Sequence, residues 1–182
     1  MALLNSKMVP LGTKAIDFEL PGTDDKNYSL DFFKDKKVLV VIFMCNHCPY
    51  VIAVLERIIA IQNDYADKGV QLIGINPNDT VNYPEDSFEN MKKIVKEKNV
   101  PFPYLIDESQ NIARKYDAVC TPDIYVYGNE RTLIYRGRID DSWQEESKVT
   151  QRDLREALDA ILKGNPVSEE QTPSIGCSIK WK

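Results

Sequence analysis

The chain has 182 residues, 43% of them hydrophobic, and a formal net charge of −5 at pH 7. This length suits one domain, so we predict a single domain over 1–182, with an N-terminal hairpin extension (1–35), a core (36–163) and a tail (164–182). Acidic and basic side chains alternate along the chain and no basic run occurs. This pattern argues against a nucleic-acid or anionic-membrane partner.

The first ten residues lack the charged and apolar regions of an export signal, and no stretch is apolar enough to span a bilayer. The chain has four cysteines. In a chain that is not exported, four are too few for a disulfide scaffold, but they suit catalysis or redox chemistry in a reducing compartment. We therefore expect a cytoplasmic protein with no membrane partner.

A small β-hairpin is predicted near the N-terminus. Residues 15–20 alternate between apolar and polar side chains, and a turn cluster follows at 21–25. Alternation at period two before a Pro-Gly turn is typical of a hairpin, whose second arm we place at 28–30.

A parallel β-α-β unit is predicted next. The uncharged apolar run 38–44 is typical of a central strand covered on both faces. Pro49 favours the start of a helix. Helical spacing then marks one buried face, formed by Val51, Val54, Leu55, Ile58 and Ile59. A second apolar strand follows at 70–75, and two strands joined by a helix pair in parallel.

Shorter helices and strands are predicted in the second half of the chain. Asp86 or Ser87 can cap a helix with Phe88, Met91, Ile94 and Val95 inside. A strand at 104–106, a brief helix at 109–116 and a hairpin of 124–127 with 132–135 follow. A capping-box pattern, Thr150 with Asp153, predicts the start of the last helix. Residues 140–143 are typical of an exposed turn.

The chemistry-bearing residues lie between the central strand and the first long helix. Cys45, His47 and Cys48 precede Pro49 directly, which places Cys48 at or near the helix N-cap. The partial positive charge of a helix N-terminus stabilises a thiolate, so we expect a lowered pKa for Cys48. A cationic His47 nearby would add to this effect. We predict that Cys45 and Cys48 can form a disulfide.

Two other interpretations of these residues stay open. Cys45, His47 and Cys48 could bind a metal with a distant cysteine. A metal site usually takes a second closely spaced ligand pair, however, whereas Cys120 and Cys177 each stand alone. We expect no metal and no other cofactor. Alternatively, the cysteines could only fill core space, as buried free thiols often do.

The order of these elements resembles the thioredoxin-like fold, an α/β fold with a central mixed sheet flanked by helices. The sequence is similar to the peroxiredoxin-like, AhpC/TSA-type branch over residues 12–163. The motifs that carry this resemblance are Cys-Asn-His-Cys-Pro-Tyr-Val at 45–51 and Gly-Cys-Ser-Ile-Lys-Trp at 176–181. The resemblance implies that Cys48 is the nucleophile. It also implies that Thr121 and Pro122 form the cis-proline loop, which presents backbone groups to a disulfide substrate.

The sequence departs from the family pattern at three positions. Val51 replaces the usual resolving cysteine, and Ile42 replaces the buried aspartate of thioredoxins. Cys45 stands where a peroxidase would carry a hydroxyl. The favoured function is therefore thiol-disulfide oxidoreductase activity through Cys48. Peroxide reduction through Cys48 is the alternative.

These functions imply particular partners. The substrate would be a protein disulfide, a small-molecule disulfide or a peroxide, and electrons would come from a thiol donor such as a thioredoxin system. The oligomeric state stays open, with a dimer as one option.

The tail is expected to dock on the protein. Its end is too apolar for a disordered segment, and it carries Cys177. If it lands near Cys120, up to four thiols gather in one neighbourhood, and Cys120 and Cys177 are then additional redox groups. Otherwise Cys120 is a core residue, and Cys177 is a surface thiol or a dimer contact.

Overall fold

The structure, a computed structural model, describes residues 3–182, so Met1 and Ala2 of the predicted N-terminal extension lie outside the described residues. The helices are α1 (Pro49–Tyr65), α2 (Phe88–Lys98), α3 (Asn111–Lys115) and α4 (Asp153–Leu162). The strands are β1 (Leu3–Asn5), β2 (Glu19–Pro21), β3 (Asn27–Ser29), β4 (Val38–Phe43), β5 (Val70–Asn76), β6 (Tyr104–Ile106), β7 (Cys120–Thr121), β8 (Asp123–Tyr127), β9 (Leu133–Arg136) and β10 (Ile175–Ser178). Within this range, no helix is both long and apolar enough to cross a membrane.

The central sheet is mixed, as predicted, with strand order β6-β5-β4-β8-β9. Strand β4 pairs in parallel with β5 and antiparallel with β8. All six β4 side chains are buried, because apolar layers cover both faces. Val40 and Ile42 pack in the layer that contains α1, whereas Val41 and Phe43 pack in the layer that contains α3. This double burial explains why β4 is apolar without alternation.

Helix α1 connects the parallel strands β4 and β5, which confirms the predicted β-α-β unit. Pro49 is in its first turn and Cys48 is its N-cap. After α1 and a short 3-10 turn, Gly69 adopts a left-handed conformation with φ of 87°. The C-terminal ends of β4 and β5 therefore meet at the sheet edge where α1 begins.

The N-terminal hairpin is confirmed, although its first arm is shorter than predicted. Strand β2 pairs with β3, whereas residues 15–18 form no strand. Asp17 accounts for part of this difference, since its carboxylate accepts hydrogen bonds from the backbone N–H groups of Phe18 and Leu30. A side chain that binds local backbone groups competes with sheet pairing.

The tail docks as a strand. Strand β10 lies between β1 and β7 in a second, three-stranded antiparallel sheet, with Cys177 opposite Thr121 and Ser178 opposite Cys120. Gly176 allows this approach, because a Cβ atom there would lie only 2.0 Å from the Thr121 carbonyl oxygen. The tail therefore lies on the loop that carries Thr121 and Pro122.

Two local predictions in the C-terminal third are wrong. Helix α4 has Arg152 as its N-cap and no side-chain cap, because the Thr150 hydroxyl donates to Asp141 instead of capping the helix. The segment 140–143 is also not a simple exposed turn. Asp140 is buried in an ion pair with Arg57, and the Trp143 ring packs on the Tyr50 ring with centroids 3.9 Å apart.

Candidate active site

Cys48 lies at the turn from β4 into α1, where the backbone changes from extended to helical. The following helical turn closes with a 2.9 Å hydrogen bond from the Ile52 N–H to the Cys48 carbonyl. The Cys48 side chain is fully buried. Its sulfur therefore lies near the positive end of a 17-residue helix but away from solvent.

The loop at Thr121 and Pro122 lies against two cysteines. The peptide bond between these two residues is cis. As a thiol, Cys48 donates to the Thr121 carbonyl oxygen at 3.1 Å, and Cys45 Sγ lies 3.5 Å from the Thr121 hydroxyl. The structure thus brings together the predicted nucleophile, the neighbouring thiol and the predicted substrate loop.

The thiols differ in acidity because Cys48 accepts hydrogen bonds from the thiols beside it. Hydrogen bonds from the Cys45 thiol, and then from the Cys177 thiol, outweigh burial and lower the pKa of Cys48 to about 4. The same contact with Cys48, together with burial, raises the pKa of Cys45 well above its usual value. Burial and the hydrogen bond with Cys48 raise the pKa of Cys177 to about 12. The site therefore favours a single thiolate, on Cys48.

Cys120 belongs to the same neighbourhood but faces a different partner. Its sulfur lies 3.9 Å from the Pro122 carbonyl oxygen, and burial raises the pKa of its thiol. All four cysteines are free and buried. The predicted disulfide between Cys45 and Cys48 stays a prediction.

His47 is held by a carboxylate that the sequence analysis considered only as a helix cap. His47 Nδ1 lies 2.7 Å from Asp86 Oδ2, and the imidazole ring stacks on Tyr83 at 5.5 Å. Asp86 is fully buried and also accepts from the Asn46 N–H and the Asn78 side-chain amide, each at 2.7 Å. One signal could have found this cluster, since polar residues that follow parallel strands collect at one sheet edge.

The residues that could bind a metal in the structure differ from the predicted set of Cys45, His47 and Cys48. Cys45, His47 and Asp86 each offer one ligand atom, all within 4.8 Å of one another, and Cys48 is not part of this group. Both Asp86 oxygens already accept two hydrogen bonds each. This buried carboxylate is therefore satisfied by hydrogen bonds alone.

Two cavities lie near the Cys45–Cys48 segment. A cavity of about 310 Å³ runs beside Pro122, Tyr50 and Trp143, and the tail residues 172–175 form one of its walls. A second cavity of about 270 Å³ is lined by Cys45, Val51 and Leu55, among others. A substrate therefore has room near both ends of the Cys45–Cys48 segment.

The thiolate gives a first testable prediction. We expect the ultraviolet absorbance of one thiolate to titrate with a midpoint of about 4 in the full chain and to be absent in Cys48→Ser. Folding lowers the pKa of Cys48 from 9.0. The Cys48 thiolate therefore contributes to the stability of the folded protein. This contribution is fully present above pH 9 and is lost as the pH falls through about 4. A midpoint near that of a free thiol would contradict the prediction.

Two solved structures are similar to this chain over nearly its whole length. An uncharacterized protein from Geobacillus kaustophilus is 48% identical, with a TM-score of 0.95 over 100% of this chain and 97% of that one. A hypothetical protein from Sinorhizobium meliloti is 44% identical, with a TM-score of 0.94 over 98% of both chains. No curated protein matches the chain significantly.

A more distant structure shares the fold alone. It is a putative thiol:disulfide interchange protein from Chlorobium tepidum, 18% identical, with a TM-score of 0.67 over 85% of this chain and 99% of that one. The fold is thioredoxin-like, which confirms the predicted class. A sequence profile of the AhpC/TSA family matches residues 11–136. The chain belongs to the AhpC/TSA family, and this membership supports an oxidoreductase function.

Proposed function

We propose that the protein is a thiol-disulfide oxidoreductase whose nucleophile is the Cys48 thiolate. The observation that carries this proposal is the position of Cys48 at the N-terminus of α1, 3.1 Å from the carbonyl oxygen of Thr121 in the cis-proline loop. The neighbouring thiols of Cys45 and Cys177 lower its pKa to about 4. A low-pKa cysteine remains a thiolate near neutral pH, and the thiolate is the attacking species in disulfide exchange.

The reaction proceeds by two exchanges. The Cys48 thiolate attacks one sulfur of the substrate disulfide, a mixed disulfide forms, and the first substrate thiolate leaves. A second protein thiol then attacks Cys48 Sγ, and the second substrate thiolate leaves. Cys45 and Cys177 are in contact with Cys48 and can serve as this second thiol. A thiol donor such as a thioredoxin system would reduce the resulting protein disulfide.

Peroxide reduction is the second candidate, favoured by membership of the AhpC/TSA family. In that reaction Cys48 takes an oxygen from the peroxide to become a sulfenic acid, which condenses with Cys45 or Cys177. A nearby cation would polarise the peroxide, but the three arginines on or beside β9 are engaged elsewhere. Arg131 donates to the Phe33 carbonyl, Arg136 to Gln171 and Arg138 to Asp153. We therefore expect weak peroxidase activity.

One preparation can distinguish these functions. We would measure insulin reduction, peroxide consumption and metal content on the same protein, and map the cysteine pairs that form under oxidation. Disulfide reduction well above peroxide turnover supports the proposal. Turnover at the speed of a dedicated peroxidase would replace it with the second candidate, and stoichiometric zinc or copper would favour a metal-binding protein instead.

Access to Cys48 gives a second prediction. In Gly176→Ala the new Cβ atom would lie 2.0 Å from the Thr121 carbonyl oxygen, so β10 cannot keep its place beside β7. We expect iodoacetamide to alkylate Cys48 about tenfold faster or more, since destabilising a local contact by ~1.4 kcal/mol opens it ten times more often. Peptide mass spectrometry measures the rate at each cysteine.

Ser178→Ala is the matched control, since it changes the same strand without a new clash. We expect it to leave the Cys48 alkylation rate close to that of the unchanged protein. If Gly176→Ala also leaves the rate unchanged, the tail does not limit access to Cys48.

A further inference from the structure

The pair formed by His47 and Asp86 lies beside Cys45 rather than Cys48. One ligand atom of each of these two side chains lies within 4.8 Å of the Cys45 sulfur. The distance joins the thiol to one ring nitrogen of His47, and at that range a proton passes from Cys45 to the ring through one water molecule. In contrast, the hydrogen bonds of Cys48 are to Thr121 and to the thiols of Cys45 and Cys177.

Cys45 needs a base if it is to act as the second thiol. It is buried and holds its proton against Cys48, so its thiol is poorly acidic. Only the thiolate attacks a disulfide. The buried carboxylate of Asp86 disfavours a free Cys45 thiolate through charge repulsion, so the proton needs an acceptor close by at the moment of attack.

The hydrogen bonds around Asp86 fix the state of His47. A carboxylate only accepts hydrogen bonds, so Nδ1 of a neutral His47 carries the proton that Asp86 accepts. Nε2 is then the unprotonated nitrogen, which a proton from Cys45 reaches through water rather than by direct contact. His47 keeps 15% of its side chain exposed, whereas the Asp86 side chain has no exposure. His47 can therefore pass a proton from the buried thiol to solvent.

We propose that His47 is the base that deprotonates Cys45 for the second exchange, and that Asp86 is the residue that positions His47. The proposal rests on the thiol-disulfide function. The Cys45 proton moves to His47, the Cys45 thiolate attacks Cys48 Sγ, the bond between Cys48 and the substrate breaks, and the substrate thiolate leaves. The two protein thiols lose two electrons to the substrate disulfide, and His47 releases the proton to solvent.

The aromatic disulfide 5,5′-dithiobis(2-nitrobenzoate) tests the step, because each exchange releases one coloured thiolate. Attack by Cys48 gives the first release, and attack by Cys45 on the mixed disulfide gives the second. We would measure both rates by stopped flow in the full chain. In Asp86→Asn the ratio of the second rate to the first is expected to fall on the order of 10²-fold, as for loss of a general base. His47→Gln should lower the ratio similarly.

The pH profile separates a base from a merely structural residue. Without the base, the second rate should rise about tenfold per pH unit, because it follows the small fraction of Cys45 thiolate. With the base, the second rate should rise much less steeply with pH, because a base in the site removes the Cys45 proton during the attack. The titratable or charged groups near this ring are Asp86, Cys45, Tyr83, Tyr104 and, across the Tyr83 ring, Lys180.

Asp107→Asn is the matched control. Asp107 is an equally buried carboxylate, but it accepts from the Ala113 N–H and the Ser109 hydroxyl. Its variant should keep the ratio of the unchanged protein. If Asp86→Asn does not fold, His47→Gln decides, since this side chain is partly exposed.

Three results would overturn the inference. One is an unchanged ratio and pH profile in His47→Gln. Another is an equal fall of the ratio in Asp107→Asn. The third is a second release that requires Cys177 but not Cys45, which leaves the thiol-disulfide function intact. A different result would reject the proposed function itself. If the unchanged protein gives no first release of the coloured thiolate, Cys48 is not the nucleophile.

Discussion

Replacing Cys48 with serine is expected to lower disulfide reduction by about a thousandfold or more, as the loss of a catalytic nucleophile does in other enzymes. A serine hydroxyl at this position has almost no anionic fraction at neutral pH, whereas the contacts with Cys45 and Cys177 hold Cys48 as a thiolate. Insulin reduction with a chemical thiol donor would measure the loss.

Cys120→Ser is the control for this experiment. Cys120 is equally buried, but its sulfur faces the Pro122 carbonyl rather than a thiol. We expect this variant to retain activity within a few-fold of the unchanged protein. If Cys120→Ser loses as much activity as Cys48→Ser, the nucleophile cannot be assigned from the helix N-terminus alone.

The position of Cys48 could be predicted from sequence because local signals agree there. A continuous apolar run predicts a strand buried on both faces, and Pro49 predicts the start of the helix. Both signals act within a dozen residues of Cys48, and the structure has β4 and α1 at these places. Local propensity and tertiary packing favour the same conformation there.

Asp86 shows why the rest of the site could not be predicted in the same way. It is 39 residues from His47 in the chain, and it reaches the site through a short 3-10 turn with no hydrophobic period. In the sequence it is one more acidic residue in a polar loop. Its burial depends on hydrogen bonds from Asn46, His47 and Asn78, which only the folded chain brings together.

Asp140 differs from its prediction for a related reason. A run of polar residues ordinarily marks an exposed turn, but Asp140 is buried because Arg57 of α1 pairs with it. A buried ion pair leaves no periodic signal, since each partner looks like a surface residue in its own segment. The tail strand is similar, because its register depends on Gly176 and Thr121, which are far apart in sequence.

The Arg57–Asp140 pair carries the largest expected effect on stability. The two side chains keep only 6% and 3% of their exposure, and Arg57 also donates to the carbonyl oxygens of Ser142 and Trp143. In Asp140→Ala a buried guanidinium loses its counter-ion. We expect the free energy of unfolding to fall by about 3–5 kcal/mol, measured by urea denaturation at neutral pH.

Two further variants make this expectation specific. Glu145→Ala removes an exposed ion pair with Lys148 and should cost less than about 1 kcal/mol. In the double variant Arg57→Met/Asp140→Leu no unpaired charge stays buried, so most of the lost stability should return. If Asp140→Ala costs no more than Glu145→Ala, then the Arg57 charge finds solvent or another partner. Arg57 would then not hold Trp143 against Tyr50, two residues after Cys48.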